Sequence, residues 1–211
     1  MLSEVSRSLR QRLSLPLPGP EAHYKMANAE RRINPARFKI PDNPRRGAVL
    51  IMLYETDNLI RFPLIVRPVY DGVHSGQVAL PGGSVEQGDK DLFATAVRET
   101  EEETGILKKN VKIIGKLSEL YIPPSNFLVS PFVGVHISKP LFIPHTREVA
   151  RIVEVNLEKI MDEKFVHEKN MKLSNGITVL TPYFDLDGLV VWGATAMILN
   201  EFKSVLYETG F

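Results

Sequence analysis

Residues 80–106 read LPGGSVEQGDKDLFATAVRETEEETGI, and the fold turns on this stretch. Pro81-Gly82-Gly83 stops a short extended run, and Asp91 to Thr104 then carries helical spacing, with Asp89 or Asp91 available as N-cap and Gly105 just past the end. On a wheel of about 100° per residue with Leu92 at zero, Glu103 falls at about +20°, Glu99 at about −20° and Glu102 at about −80°, whereas Glu101 falls near 180°. Glu99, Glu102 and Glu103 therefore share one face and Glu101 does not. Arg98, about 40° from Glu102 and one turn before it, is placed to pin that carboxylate. Leu92, Phe93, Ala96 and Val97 supply the apolar side, so Glu99 and Glu103 beside it are expected to be partly desolvated.

Like charges one turn apart cost about 0.2–0.5 kcal/mol per pair even when solvated. A hard divalent cation such as Mg²⁺ or Mn²⁺, which prefers oxygen ligands, removes that penalty. A charge-rich helical run is by default a solvated face; the clustering, the Gly-Gly turn upstream and the glycine stop downstream argue for a cation site. Other loop chemistries fail on inspection. Gly83 and Gly88 are followed by Asp89-Lys90 where a P-loop needs Lys then Ser or Thr. Ala94 stands where an EF-hand loop starting at Asp89 needs glycine.

Outward from this segment, Ala48–Tyr54 is a continuous apolar run short enough for a buried strand. Phe62–Val69, interrupted by Pro63 and Pro68, reads as an edge or ragged strand, and Gln77–Leu80 as a third. Strands are also expected over Val111–Leu120, Leu128–Ile137, Arg151–Val155 and Val190–Trp192, with a short helix near Glu158–Asp162. Lys172–Thr181 reads as a hairpin on Asn175-Gly176, which suits a type I′ turn. Ala194–Tyr207 closes the chain as a helix with Ile198, Phe202 and Val205 on one face. Leu15 to Asn43, punctuated by five prolines, reads as an extended wrap. Short strands with two good helices imply an α+β or α/β layered domain.

Composition narrows the function classes. The chain has 211 residues, 44% hydrophobic and 24% charged, which suits one core with extensions. Lys and Arg number 26 against 25 Asp and Glu, so no broad footprint for nucleic acid exists. The absence of cysteine excludes disulfides, thiolate zinc sites and Cys nucleophiles, and points to a cytoplasmic, reducing setting. No apolar run approaches the roughly 20 residues of a membrane span. Met1–Leu13 carries three arginines and three serines, as transit peptides do, but Glu4 interrupts them, and Leu2, Val5, Leu9 and Leu13 at helical spacing describe a docking helix.

Gly83, Arg98-Glu99, Glu102-Glu103, Gly105 and Ile106 resemble the signature box of the Nudix hydrolases, which cleave nucleoside diphosphates linked to another moiety. Asp89 stands where the family's first box glutamate falls, one residue further from Arg98 than usual, and Thr100 replaces an aliphatic residue. Those departures are similar to the coenzyme A pyrophosphatases of the superfamily, as are Arg67, the run His74-Ser75-Gly76-Gln77-Val78-Ala79-Leu80-Pro81-Gly82-Gly83, Ser125-Asn126-Phe127, Pro131-Phe132-Val133-Gly134, Glu148-Val149 and Trp192-Gly193-Ala194-Thr195-Ala196. The likeness runs from Arg46 to Leu206, but Pro68 and Gly72 occupy places where that subfamily carries Ser and Arg.

The resemblance implies an α/β/α sandwich, with a mixed sheet between helices, over residues 46–211, preceded by an N-terminal extension over 1–45. It implies a Mg²⁺- or Mn²⁺-dependent hydrolase cutting coenzyme A or an acyl derivative into 4′-phosphopantetheine, or its acyl form, and adenosine 3′,5′-bisphosphate. ADP-ribose or a dinucleotide is the alternative substrate. A non-catalytic nucleotide-binding regulatory domain is a second alternative, which intact Glu99, Glu102 and Glu103 oppose. Arg98, Glu99, Glu102 and Glu103 are the implied catalytic set, with Glu99, Glu102, Glu103 and the Gly82 carbonyl as metal ligands and Glu102 shared with water activation. Arg67, His74, Ser125 and Asn126 are candidate substrate contacts. Each has a plainer reading: a solvated strand end for Arg67, a loop bond for His74, a turn for Ser125 and Asn126. Glu148 is either a remote carboxylate or a surface residue, Trp192 reads as core, and Arg45 and Arg46 as surface within reach of an extra phosphate. The expected partner is a small-molecule nucleotide, with no nucleic acid and no membrane; a homodimer is the common state of soluble enzymes.

Overall fold

The computed structural model describes residues 1–69, 76–173 and 176–211. In chain order the helices and strands are α1 (Leu2–Arg12), α2 (Pro20–Lys25), α3 (Ala29–Ile33), β1 (Arg45–Thr56), β2 (Leu59–Val66), β3 (Val78–Ala79), β4 (Gly82–Ser84), α4 (Leu92–Thr104), β5 (Val111–Lys116), β6 (Leu120–Ile122), β7 (Phe127–His136), β8 (Arg151–Asn156), α5 (Glu158–Met161), β9 (Val166–Lys172), β10 (Thr178–Leu186), β11 (Leu189–Trp192) and α6 (Gly193–Glu208).

Strand β1 organises the molecule. Its first part runs parallel to β7, from Arg45 opposite Phe127 to Leu53 opposite Val135, and pairs antiparallel with β4 on its other side. Its last residues turn through Asp57 and Asn58, at φ 52° and 57°, into antiparallel β2. Two successive positive φ values are the signature of a two-residue type I′ hairpin. The main sheet is thus mixed, ordered β3-β2-β1-β7-β5, with β6 added to β7 and β8 to β2; β9, β10 and β11 form a second, antiparallel sheet.

Period two along β1 makes the sandwich. Ala48, Leu50, Met52 and Tyr54 pack with Ala96 and Val97 of α4 and with Ile106. Ile51 and Leu53 join the other cluster, with Leu9 of α1 and Ile198, Phe202 and Val205 of α6. A strand buried on both faces reads as a continuous apolar run, as this one does.

The proline-rich N-terminal segment differs from the expected wrap. Pro20 opens α2 and Pro35 opens a 3₁₀ turn over Pro35–Phe38, so these prolines initiate helical turns where the lost N–H costs nothing. The segment is pinned by Glu201 of α6, which is fully buried. Its carboxylate accepts from the Gly19 N–H at 2.9 Å and the Ser118 N–H at 3.1 Å, and meets His23 Nε2 at 2.9 Å. Burial acts to raise its pKa, but the bonds from His23 and Ser118 prevail and hold it below the ordinary carboxyl value. Glu201→Ala is expected to lower stability by about 3 kcal/mol, since it orphans two amides and a buried imidazole. A thermal melt measures the loss, and protease cutting before residue 45 reports release of the segment.

Other departures have local causes. Strand β2 is internal, with β8 on one side and β1 and β3 on the other. Pro63 lies between the residues that meet β1 and those that meet β3. The run expected at Val111–Leu120 divides into β5 and β6 after a register shift between Ile113 and Gly115, where Leu13 packs so closely that a Cβ on Gly115 would lie 2.7 Å from it. Phe93 is 38% exposed and edge-on to Phe132 rather than under the helix. Strand β9, mostly exposed and polar, carries no alternation that announces it. It pairs with β10 as a hairpin, but Leu173 bonds across to Ile177, so three residues separate the two where the expected Asn175-Gly176 turn has two; residues 174 and 175 lie outside the described residues.

Candidate active site

The site forms where β4 passes under α4. Gly82 has φ +148°, and a Cβ there would lie 2.3 Å from the Ala48 carbonyl oxygen and 2.6 Å from Val49 Cα. At Gly83 a Cβ would lie 2.4 Å from the carboxyl carbon of Glu99. Backbone thus requires glycine at Gly82, whereas at Gly83 a side chain would displace the Glu99 carboxylate. Helix α4 is capped by Asp91, whose side chain accepts from the Ala94 N–H at 2.7 Å, and is closed by Gly105 at φ +75°.

Glu103 lies at the bottom, 2% exposed, accepting from the Gly82 N–H at 2.8 Å with Arg67 Nη2 3.8 Å away. Burial pushes its pKa up to about 7; the Gly82 amide and Arg67 oppose the shift, while Glu99 and Glu148 add to it. The Glu99 side chain is 13% exposed and is raised in the same direction, first by burial, with Arg98 at 3.2 Å acting against it. Glu102 differs: it is 53% exposed at the rim, 3.0 Å from Arg98 Nη1. The helix face is therefore an inner pair, Glu99 and Glu103, with Glu102 beside them.

Arg98 does more than pin Glu102. Nε and Nη2 each reach an Asp89 oxygen at 3.0 Å, and Nη2 also donates to the Ser84 carbonyl at 2.9 Å. Asp89 accepts further from Thr95 Oγ1 at 2.9 Å and the Glu86 N–H at 3.0 Å. The Arg98 bonds hold the Asp89 carboxyl well below the usual range, and Asp89 in turn raises Arg98. Asp89 is thus the fastening of the loop onto α4, not the N-cap. A helical wheel shows neighbours within one helix only, so it carries no sign of this contact.

A cleft of about 870 Å³ opens from the two glutamates. Arg67, Ser125 and Glu148 line it. Glu148 is exposed, as a surface residue is, yet its charge raises both inner glutamates. Trp192 forms part of the wall and is half-buried, not core, because it ends β11 where the chain leaves the sheet. Asn126, at φ 53°, accepts from the Tyr121 hydroxyl at 3.0 Å, which is a turn role. Arg46 pairs with Glu119 at 2.6 Å and Arg45 covers the Phe127 ring at 4.2 Å. His74 lies outside the described residues. Sequence reasoning missed Arg31 and Phe38 in the wall, for which no local signal exists.

Among the described residues, no three His, Asp or Glu side chains close into a ready-made metal cage. The donor chemistry nevertheless fits a hard cation: burial raises the pKa of both Glu99 and Glu103, Glu99 adds to the shift of Glu103, and Glu102 and Glu148 bring further negative charge beside Arg67 and Arg98. The sign of the pH effect follows. A carboxyl raised from 4.5 to about 7 favours the protonated folded state, so its contribution is full below 4.5 and lost as pH rises through 7. Metal-free protein is expected to lose on the order of 3 kcal/mol from this group between about pH 5 and 8. Melting temperatures across that range check it, with the loss absent in Glu103→Gln and reversed by Mg²⁺ at the alkaline end.

A family model described as the NUDIX domain matches residues 44–171. The chain belongs to the NUDIX domain family. It is 36% identical over 182 residues to Nudix hydrolase 15, mitochondrial, of Arabidopsis thaliana, covering 83% of this chain and 62% of that protein. Nudix hydrolase 22, chloroplastic, of the same plant is 33% identical, with 82% and 58% covered. The matched region thus spans about three fifths of the length of these two relatives. The Nudix hydrolase NudL of Photorhabdus laumondii is 31% identical, with 79% of this chain and 88% of that protein covered. In fold, the chain is similar to a Nudix hydrolase from M. Smegmatis, RenU, at TM-score 0.56 and 15% identity, with 78% of this chain and 87% of that one covered. It is also similar to a C. elegans Ap4A hydrolase, at TM-score 0.53 and 18% identity, covering 79% and 99%.

The Nudix box tolerates its two departures here for visible reasons. The added residue sits in the loop before α4, and Asp89 still reaches Arg98. Thr100 is fully buried but donates its hydroxyl to the Ala96 carbonyl at 2.7 Å, so it fills an aliphatic place without an unmet bond. No helix among the described residues is long and apolar enough to cross a membrane.

Proposed function

We propose that this chain is a divalent-metal-dependent Nudix hydrolase that cuts the pyrophosphate bond of coenzyme A or an acyl-coenzyme A, releasing 4′-phosphopantetheine or its acyl form and adenosine 3′,5′-bisphosphate. The carrying observation is buried Glu103 with half-buried Glu99 beside it, both lining a nucleotide-sized cleft. Coenzyme A is favoured because Arg67, residues 77–80, Gly82, Gly83 and Ser125, all in motifs similar to that subfamily, line this one cleft. In this reading residues 46–211 are the catalytic domain and 1–45 an extension, in a cytoplasmic protein that works as a homodimer.

Glu99 and Glu103, with Glu102 and the Gly82 carbonyl, would hold Mg²⁺ or Mn²⁺. Such a cation offsets the charge of the diphosphate oxygens and lowers the pKa of bound water. Arg98 keeps Glu102 and the Asp89 loop in position. Arg67 supplies a positive charge beside Glu103 for the phosphates, and Ser125 offers a hydroxyl to the substrate. Exclusion of water around Glu103 strengthens every charge interaction there.

A second reading, ADP-ribose or a dinucleotide as substrate, is favoured by Pro68 and Gly72 in place of Ser and Arg. The test is a metal-supplemented panel of coenzyme A, ADP-ribose, NADH and a dinucleoside polyphosphate, with products identified by mass spectrometry. Release of the bisphosphate from coenzyme A at the highest kcat/KM supports the proposal. Faster hydrolysis of another member moves the assignment to the second reading, and binding without turnover to a regulatory domain.

A further inference from the structure

We propose that Arg31, in the N-terminal segment, receives a second phosphate of the substrate, a phosphomonoester remote from the bond that is cut. The inference rests on the hydrolase reading and deepens it. Helix α3 and the 3₁₀ turn after it contribute Arg31, Arg37 and Phe38 to the cleft that Glu99 and Glu103 also line. One cavity is thus lined by the α4 carboxylates with Arg67 beside them and, from the N-terminal segment, by Arg31 and the Arg37–Glu30 pair.

Arg31 is set apart from the other arginines of the chain. Its guanidinium lies 5.2 Å from the Phe38 ring centroid and 6.0 Å from that of Tyr24, and Nη2 donates to the Tyr121 carbonyl at 3.0 Å. Nε is buried without a hydrogen-bond partner, alone in this among the side-chain nitrogens and oxygens of the described residues. No carboxylate among those residues pairs with it: Glu30, its neighbour in sequence, is taken by Arg37 at 3.2 Å. Burial lowers its pKa from the ordinary arginine value, with Tyr24 acting in the opposite direction.

A half-buried guanidinium without a counter-ion is held at a cost that an arriving anion repays. Aromatic contacts fix the plane of the group but leave its charge unmatched. A phosphomonoester suits it best, because it brings close to two negative charges and three acceptor oxygens to a forked donor. A compound with its diphosphate at the glutamates and a phosphomonoester on its ribose satisfies both sets of residues. The same compound without that phosphate satisfies one.

The test compares coenzyme A with 3′-dephospho-coenzyme A, which differ by that group alone. Wild-type protein is expected to prefer coenzyme A, and Arg31→Gln to reduce the ratio of the two kcat/KM values about tenfold, through KM. Arg31→Lys, which keeps the charge, should recover part of the ratio. An unaltered ratio in an Arg31→Gln protein with the wild-type melting temperature overturns the proposal. A second measurement needs no turnover. Trp192 is the only tryptophan and stands in the cleft wall, so its fluorescence reports binding directly. Adenosine 3′,5′-bisphosphate should bind wild-type protein about tenfold more tightly than AMP, and Arg31→Gln should remove the difference. Equal affinities in the wild type overturn the Arg31 assignment whether or not any substrate is hydrolysed. The bisphosphate preference without hydrolysis keeps it and discards the hydrolase reading.

Discussion

Glu103→Gln is expected to reduce hydrolysis by at least about a hundredfold, the scale on which loss of one preorganised charge in a reaction centre acts. The same substitution should make metal-free protein more stable at alkaline pH. Both effects follow from one fact: Glu103 is 2% exposed with its pKa near 7. A neutral amide of the same shape removes the buried charge, and its oxygen still accepts from the Gly82 N–H. A residue kept charged where neutrality would be more stable is retained for what the charge does. Glu101→Gln, on the far side of α4, should alter neither quantity appreciably. Turnover rates and melts with and without Mg²⁺ decide the matter; comparable damage from the two changes refutes the placement of Glu103 as the working carboxylate.

Two adjacent glycines should separate folding from activity. In Gly83→Ala the new methyl would lie 2.4 Å from the Glu99 carboxyl carbon and 2.5 Å from each of its oxygens. Gly83 itself is paired with Ala48 in the sheet, so the flexible carboxylate gives way instead. The protein should fold, with a loss of about 1 kcal/mol, and lose about a hundredfold in rate, because Glu99 is displaced from Glu103. In Gly82→Ala the obstruction is backbone, the Ala48 oxygen and Val49 Cα, at a φ that L residues avoid. That change should cost about 3 kcal/mol or more and appear as poor folding. Circular dichroism melts beside initial rates distinguish the two, and an active Gly83→Ala protein would show that Glu99 is not needed where it stands.

Much of the centre is legible in the amino-acid sequence. The Asp91 cap, the Gly105 stop and the angular placement of Glu99 and Glu103 are consequences of helical pitch, which repeats within a few residues. The same holds for Ala48–Tyr54, whose unbroken apolar run announces burial on both faces. Strand β9 is not legible, because a mostly exposed strand has no alternation to show. The N-terminal segment is legible only in part: its first helix follows from Leu9 and Leu13, but prolines that open helical turns look, in sequence, like prolines that forbid them.

What the sequence determined by itself is therefore what neighbours along the chain decide: which residues lie on one face, and where a helix or strand begins and ends. Tertiary structure alone decided which partners those faces meet. Asp89 closes on Arg98 because a loop folds back, and Glu201 seals the segment around His23 across 178 positions. Arg31, Glu148 and Trp192 reach the cleft from three separate parts of the chain. Local periodicity carries no record of such meetings, since the free energy that selects them comes from burial and charge pairing after the chain has collapsed.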